Sequence, residues 1–299
     1  MKYYIIAGEA SGDLHGSNLM KGIYAEDPQA EIRFWGGDCM QSVWDAKESG
    51  IYSVERSALA TPISSGLVRH YKEGAVMGFV EVLMKARKLL GNVKFCKKDI
   101  LSWNPDVVIL IDYPGFNFKI AEFAHKAGFK VFYYIAPKVW ASRESRIKKL
   151  KEYVDRLFIV FPFEKEYFES KGIDYIYRGN PLVDAVDTSK AMYEPKEEFF
   201  TRVKLEQSPY IAMLAGSRKG EIKKMMPVLT EFAAKMHSTA EYSDYKFIIA
   251  GAPSRSMKDY ERYLTDENKK YIHVIFGETQ AIIKNADAAV VNSGTASLE

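Results

Sequence analysis

A short, continuously apolar run, then a turn of small and polar residues, then a helix-like stretch: this unit recurs along the chain. Residues 3–7 (YYIIA), 106–111 (DVVILI), 130–135 (KVFYYI), 210–214 (YIAML), 246–250 (KFIIA) and 288–291 (AAVV) show no polar/apolar alternation. A strand with one wet face alternates, whereas a strand that does not is buried on both faces, as in a parallel sheet covered by helices. Helical stretches are expected from the turn at Gly12 to about residue 24 and at 76–90, 120–127, 145–153, 163–171, 256–264 and 279–284. Further strands are expected at 31–35, 156–160 and 272–275. Strands alternating with helices constrain the chain to a doubly wound α/β fold. The pattern runs once before residue 187 and again after residue 205. A length of 299 residues favours two domains. They are placed at 1–186 and 187–299, with the charged stretch 187–205, which contains Pro195, as the connection.

Residues 42–66 are aperiodic, with Ser, Thr and Pro clustered at 57–65. They read as a loop or insertion, unusually long for a compact domain. No internal repeat is detectable. Composition mainly excludes. A net charge of +3, from 42 basic and 39 acidic residues, gives no argument for nucleic acid. Cys39 and Cys96 are far apart and fit a reducing compartment better than a disulfide framework. The apolar start is too short for a signal peptide, and no run approaches the ~20 residues of a spanning helix. A cytoplasmic protein that touches a membrane surface is expected.

Ligands of open α/β sheets bind at the carboxyl ends of the strands, so the candidates are the residues that follow each strand. After the first comes GEASGDLHG, where Gly8 and Gly12 permit a tight turn and Glu9, Ser11, Asp13 and His15 surround one point. It is not GxGxxG, which disfavours a dinucleotide oxidoreductase; the alternative is that the Gly and Asp residues simply cap a helix. After DVVILI comes Asp112, a carboxylate placed for general-base work, then Pro114, Gly115 and Asn117. Here too a cap is the alternative. Lys138, Arg143 and Arg146 gather around Trp140 and suit an anionic or amphipathic ligand, or form a solvated basic face. In the second half, Gly216, Ser217 and Arg218 open a helix where a diphosphate can sit. Ser293, Gly294 and Thr295 repeat that arrangement, and Glu299 can reach sugar hydroxyls from the first turn. Val76, Met77, Phe79, Val80 and Leu83 form either a core helix or one that docks on lipid, with Lys85, Arg87 and Lys88 meeting anionic headgroups. The five histidines form no triad and no zinc pattern.

Taken in order, GEASGDLHG, AVMGFVEVL, PDVVILIDYPGFN, PKVWA, FPFE, GNPLVD, AGSRKGE and SGTASLE resemble the lipid-A-disaccharide synthases over nearly the whole chain. The resemblance implies a GT-B type α/β fold, two Rossmann-like doubly wound domains facing across a cleft. It implies inverting, metal-independent transfer of 2,3-diacylglucosamine from its UDP derivative to 2,3-diacylglucosamine 1-phosphate, with no cofactor. Asp112 is then the catalytic carboxylate. Glu9, Ser11, Asp13, His15, Lys138 and Arg143 line the acceptor side, and Asn180, Gly216, Ser217, Arg218, Ser293, Gly294, Thr295 and Glu299 the donor side. Acylated substrates favour the lipid-docking reading of Val76, Met77, Phe79, Val80 and Leu83, at the cytoplasmic face of a Gram-negative inner membrane. Nucleic acid is not a partner, and oligomeric state is left open.

The chain also departs from the family pattern. The family continues beyond SGTASLE, so the second domain is expected to be incomplete and the chain weakly active or inactive. Residues 43–65 read as an insertion. Ala136, Ser142 and Gly74 stand where a Ser, a Trp and a larger apolar residue are expected. The competing readings are another GT-B nucleotide-sugar enzyme and a non-catalytic UDP-sugar-binding module.

Overall fold

The computed structural model describes residues 1–49, 65–74, 81–141, 143–187 and 190–292. It divides into two compact units, Met1–Pro181 and Leu182–Glu299. The division falls at the start of the helix Pro181–Asp187, five residues before the 186/187 boundary expected from sequence.

In the first unit the strands and helices alternate as β1 (Lys2–Ala7), α1 (Ala10–Glu26), β2 (Glu31–Gly36), α2 (Asp38–Glu48), β3 (Gly66–His70), α3 (Glu81–Trp103), β4 (Val107–Ile111), α4 (Pro114–Lys126), β5 (Lys130–Tyr134), α5 (Ile147–Tyr153), β6 (Arg156–Ile159), α6 (Glu164–Ser170) and β7 (Ile176–Tyr177). They form one parallel sheet of order β3-β2-β1-β4-β5-β6-β7. The unbroken apolar runs have a direct cause. Tyr4, Ile6, Val108 and Leu110 enter the core on one face, whereas Ile5, Ala7, Ile109 and Ile111 enter the core on the other. Helix α3 covers the first face with Val93, Cys96, Ile100 and Trp103, at helical spacing. Its continuation past residue 90 carries the exposed-side Gly91, which costs about 1 kcal/mol relative to Ala; the buried stripe that follows outweighs it.

The second unit contains α7 (Pro181–Asp187), α8 (Lys196–Val203), β8 (Tyr210–Leu214), α9 (Lys219–His237), β9 (Lys246–Gly251), β10 (Ile272–Phe276), α10 (Thr279–Asn285) and β11 (Ala288–Val291). Its parallel sheet has the order β10-β9-β8-β11. Tyr210, Ala212 and Leu214 face one core, Ile211 and Met213 the other.

Three expectations are corrected. Residues 42–66 are not one loop: α2 extends through Glu48, and β3 adds an edge strand to the sheet. Helix α2 buries only Met40 and Val43, and β3 is mostly half-buried, so neither has the apolar signature of the central elements. The charged stretch 187–205 is not a bare connection, because α8 buries Phe199 and Phe200 in the second core. Residues 256–264 form two 3-10 turns, Met257–Asp259 and Glu261–Tyr263, rather than one helix. They are pinned by buried Tyr260, whose hydroxyl accepts the Ala252 N–H at 3.0 Å.

Candidate active site

From β1 the chain winds outward to β2 and β3, then crosses back to start β4 beside β1. Loops leaving β1 and β4 therefore diverge, opening a crevice at the carboxyl edge of the sheet. Ala7 pairs with Ile111, so the turn carrying Glu9 lies next to the turn carrying Asp112. The contact requires glycine: a Cβ on Gly8 would lie 2.3 Å from the Tyr113 ring. Tyr113 stacks on Phe116 at 5.6 Å, and its phenol pKa is raised by burial first and by the Glu9 charge second.

Asp112 and Tyr113 both have left-handed backbones, with φ of 40° and 45°. Such residues cost about 1–3 kcal/mol each and persist only where neighbours hold them. Two buried side chains do so. The Asp112 carbonyl accepts Asn117 Nδ2 at 2.8 Å and Tyr133 Oη at 2.7 Å, and Asn117 Nδ2 also donates to the Ile111 carbonyl at 3.1 Å. The turn is thus clamped through its main chain while the Asp112 side chain remains exposed.

The other first-unit candidates separate. Glu9 is half-buried at the N-cap of α1, and Ser11 is half-buried in its first turn. Lys138 and Arg143 are exposed on the segment leaving β5, the strand next to β4. Asp13 and His15 are turned inward, at 2% and 7% exposure. The Asp13 carboxylate accepts the backbone N–H groups of Gly37 (2.7 Å), Cys39 (3.0 Å) and Met40 (3.1 Å). It caps α2, whose own N-cap is a glycine. Burial pushes the His15 pKa below the usual imidazole range, and its Nδ1 has no hydrogen-bond partner among the described residues.

In the second unit the switch point lies between β8 and β11. Gly216 has φ 93°, and a Cβ there would lie 2.6 Å from Glu221 Oε2 and 3.1 Å from Asn292 Nδ2. The Asn292 N–H donates to the Leu214 carbonyl at 3.2 Å, which brings Asn292 beside the 215–218 turn. The amides expected to face a diphosphate hold a carboxylate of the chain itself. Glu221 Oε2 accepts the Ser217 and Arg218 N–H groups, each at 3.1 Å, and Arg218 Nη1 meets Oε1 at 3.2 Å. A helix N-terminus favours an anion, and here Glu221 fills that role. Asn180 is half-buried and immediately precedes α7. Ser293, Gly294, Thr295 and Glu299 lie outside the described residues, as do Val76, Met77, Phe79 and Val80; of Leu83 only the backbone, in α3, is described.

Tyr113, Tyr133, Glu221 and Asn292 escape a reading of the sequence alone, though Asn117 stands out there as an amide beside the turn. For Gly8 the signal is present, since a glycine at a buried strand end marks a close approach.

The profile of the lipid-A-disaccharide synthetase family matches residues 3–299. The chain belongs to this family. It is 35% identical over 295 residues to the lipid-A-disaccharide synthase of Syntrophus aciditrophicus, covering 99% of this chain and 70% of the relative. It is 36% identical over 296 residues to that of Geobacter metallireducens, with the same coverage of 99% and 70%. Members of the lipid-A-disaccharide synthase family are glycosyltransferases of lipid A biosynthesis. The α/β architecture with parallel sheets is of GT-B type. It is shared with UDP-GlcNAc 2-epimerase from Neisseria meningitidis bound to UDP-GlcNAc (TM-score 0.65, 12% identity, 98% of this chain, 78% of that one). It is also shared with the S. aureus MnaA–UDP co-structure (TM-score 0.66, 14% identity, 98% and 74%). Among the described residues, no helix is long and apolar enough to cross a membrane.

Proposed function

We propose that the chain transfers 2,3-diacylglucosamine, with inversion, from UDP-2,3-diacylglucosamine to 2,3-diacylglucosamine 1-phosphate, releasing UDP and lipid A disaccharide 1-phosphate. The observation that carries this reading is the exposed Asp112 carboxylate on a clamped turn at the first switch point, in a chain of this family. Asp112 takes the proton of the acceptor 6-hydroxyl as its oxygen attacks the anomeric carbon in line and the bond to UDP breaks. Glu9, Ser11, Lys138 and Arg143 contact the acceptor. Asp13 and His15 shape the first loop from within and touch no ligand. Asn180, the 215–218 turn, Arg218 and residues 293–299 bind the donor, the diphosphate displacing the Glu221 carboxylate from the Ser217 and Arg218 amides and Arg218 meeting the charge that grows on the leaving group. The acyl chains place the protein peripherally at the cytoplasmic face of the inner membrane, docked through residues 76–83.

The test is release of UDP from UDP-2,3-diacylglucosamine, with and without the acceptor 1-phosphate. Acceptor-dependent release with an inverted linkage in the product supports the reading; release indifferent to acceptor counts against it. Two substitutions sharpen it. Arg218→Ala is expected to raise the KM for the UDP-sugar about tenfold or more, because a charge-assisted contact to the diphosphate is lost; steady-state kinetics with varied donor measure it. Tyr133→Phe removes one of the two donors on the Asp112 carbonyl. It should cost about 1 kcal/mol of stability and lower kcat roughly tenfold, through misplacement of the carboxylate. Thermal unfolding and initial rates check the two parts separately.

A further inference from the structure

Three aromatic rings and a lysine stand together at the carboxyl ends of β5 and β6. Trp140 and Phe163 are 39% and 53% exposed, large fractions for side chains of this size. Trp140 meets Phe163 edge-on, with ring centroids 4.9 Å apart and planes at 87°. Phe163 stacks on Phe161 at 5.4 Å and 14°. The Lys138 ammonium lies at the edge of the group, 5.8 Å from the Phe161 ring centroid, and no carboxylate pairs with it among the described residues.

The group is rigid, and a buried charge makes it so. Glu164 is fully buried, and its Oε1 accepts the indole N–H of Trp140 at 3.1 Å. Its Oε2 accepts the backbone N–H groups of Val160 and Phe161 at 3.1 and 3.0 Å. Removing a carboxylate from water costs several kcal/mol, offset only where hydrogen bonds satisfy it. Here that arrangement fixes the plane of an exposed indole and ties the turn after β6 to the segment after β5. Docking on a fluid lipid surface needs no fixed ring plane. A fixed corner of aromatic faces with a cation at its rim matches a small rigid ligand that has one apolar face and one anionic group.

We infer that Trp140, Phe161, Phe163 and Lys138 form the subsite for the sugar 1-phosphate end of the acceptor. The C–H face of the pyranose lies on the aromatic corner, and the phosphate meets Lys138. Glu164 is a positioning residue that holds Trp140. The location suits this role. Strand β5 is the neighbour of β4 and β6 the next beyond. The corner is therefore one to two strand spacings, about 5–10 Å, along the sheet edge from the exit that carries Asp112. A pyranose spans such a distance. The inference rests on the transferase reading above and adds to it which end of the acceptor lies where.

The experiment follows tryptophan fluorescence of the full chain while glucosamine 1-phosphate is added. Separate titrations use glucosamine, inorganic phosphate and vesicles of anionic phospholipid. The expected result is a saturable change with the sugar phosphate, at least about tenfold tighter than with either half alone, since two contacts act together. Trp140→Phe should remove the signal. Lys138→Ala, on an exposed side chain that leaves folding intact, should weaken binding about tenfold and raise the acceptor KM with kcat little changed. Phe163→Ala should do the same. Glu164→Gln keeps an acceptor for the indole and should weaken binding less than Trp140→Ala. An unchanged acceptor KM in Lys138→Ala and Phe163→Ala, with transfer by the parent chain intact, overturns this subsite and leaves the transferase reading standing. Loss of vesicle binding alone in those variants also overturns it, in favour of a lipid contact. A parent chain that binds the sugar phosphate but transfers nothing counts against the transferase reading instead.

Discussion

Asp112→Asn is expected to lower kcat for acceptor-dependent UDP release by about 10²- to 10⁴-fold, the contribution of a positioned general base. The clamps of the turn act on the main-chain carbonyl of Asp112, through Asn117 Nδ2 and Tyr133 Oη, and both survive. The side chain is exposed, so no core contact is altered. Asparagine also accepts the left-handed backbone, φ 40°, at least as readily as aspartate. Stability should therefore stay within about 0.5 kcal/mol of the parent, which confines the loss to chemistry. Measuring kcat, donor KM and thermal unfolding on one preparation decides the matter. A variant keeping more than about a tenth of the parent kcat removes Asp112 from the role of base. Asp112→Ala tests the same role less cleanly, because alanine fits the left-handed region poorly.

Why the sequence places Asp112 and Glu9 at a sheet edge, and does not show that Asp13 is buried against a second helix, follows from the range of the interactions. Strands β1 and β4 are buried on both faces, so their apolar runs announce them, and the next residue falls at the sheet edge where ligands bind. The pairing of Ala7 with Ile111, which makes those two edges neighbours, is a long-range fact that no local pattern encodes. Edge strand β3 and helix α2 are only partly buried, so their pattern is diluted and the region reads as a loop. Asp13 is read as a ligand contact or a local cap. Its three partners are amides 24 to 27 residues away, on a different helix. Similarly, KVFYYI does not tell that Tyr133, rather than Tyr134, points its hydroxyl at the Asp112 carbonyl. The capping of α9 by Glu221 escapes because its N-cap is Arg218, not the Ser or Thr of the usual signature.

Asp13→Ala is expected to destabilise the first unit by about 3 kcal/mol or more, without acting through substrate binding. Three buried or half-buried N–H groups lose their acceptor, and each unsatisfied donor costs about 1–3 kcal/mol unless water reaches it. Water has little room: a Cβ on Gly37 would already lie 2.2 Å from the Tyr71 ring and 2.7 Å from Asp13 Oδ2. The N-cap of α2 is Gly37, with no side chain to replace the lost cap. Asp13→Asn retains one acceptor oxygen but turns an NH₂ toward the remaining amides, so its cost should be intermediate. Two units can unfold separately, and a single global transition then misreports the change. Hydrogen exchange at the amides of Gly37, Cys39 and Met40 reads it locally. A second readout is the Cys39 thiol, whose pKa is pushed up to about 11 by desolvation first and the Asp13 carboxylate next. Removing that carboxylate lowers the thiol pKa and should speed alkylation of Cys39 between about pH 8 and 10, since the thiolate is the reactive form. Were Asp13 instead a contact to the acceptor sugar, the alanine variant would keep slow exchange at these amides and an unchanged Cys39 reactivity, and only its acceptor KM would rise.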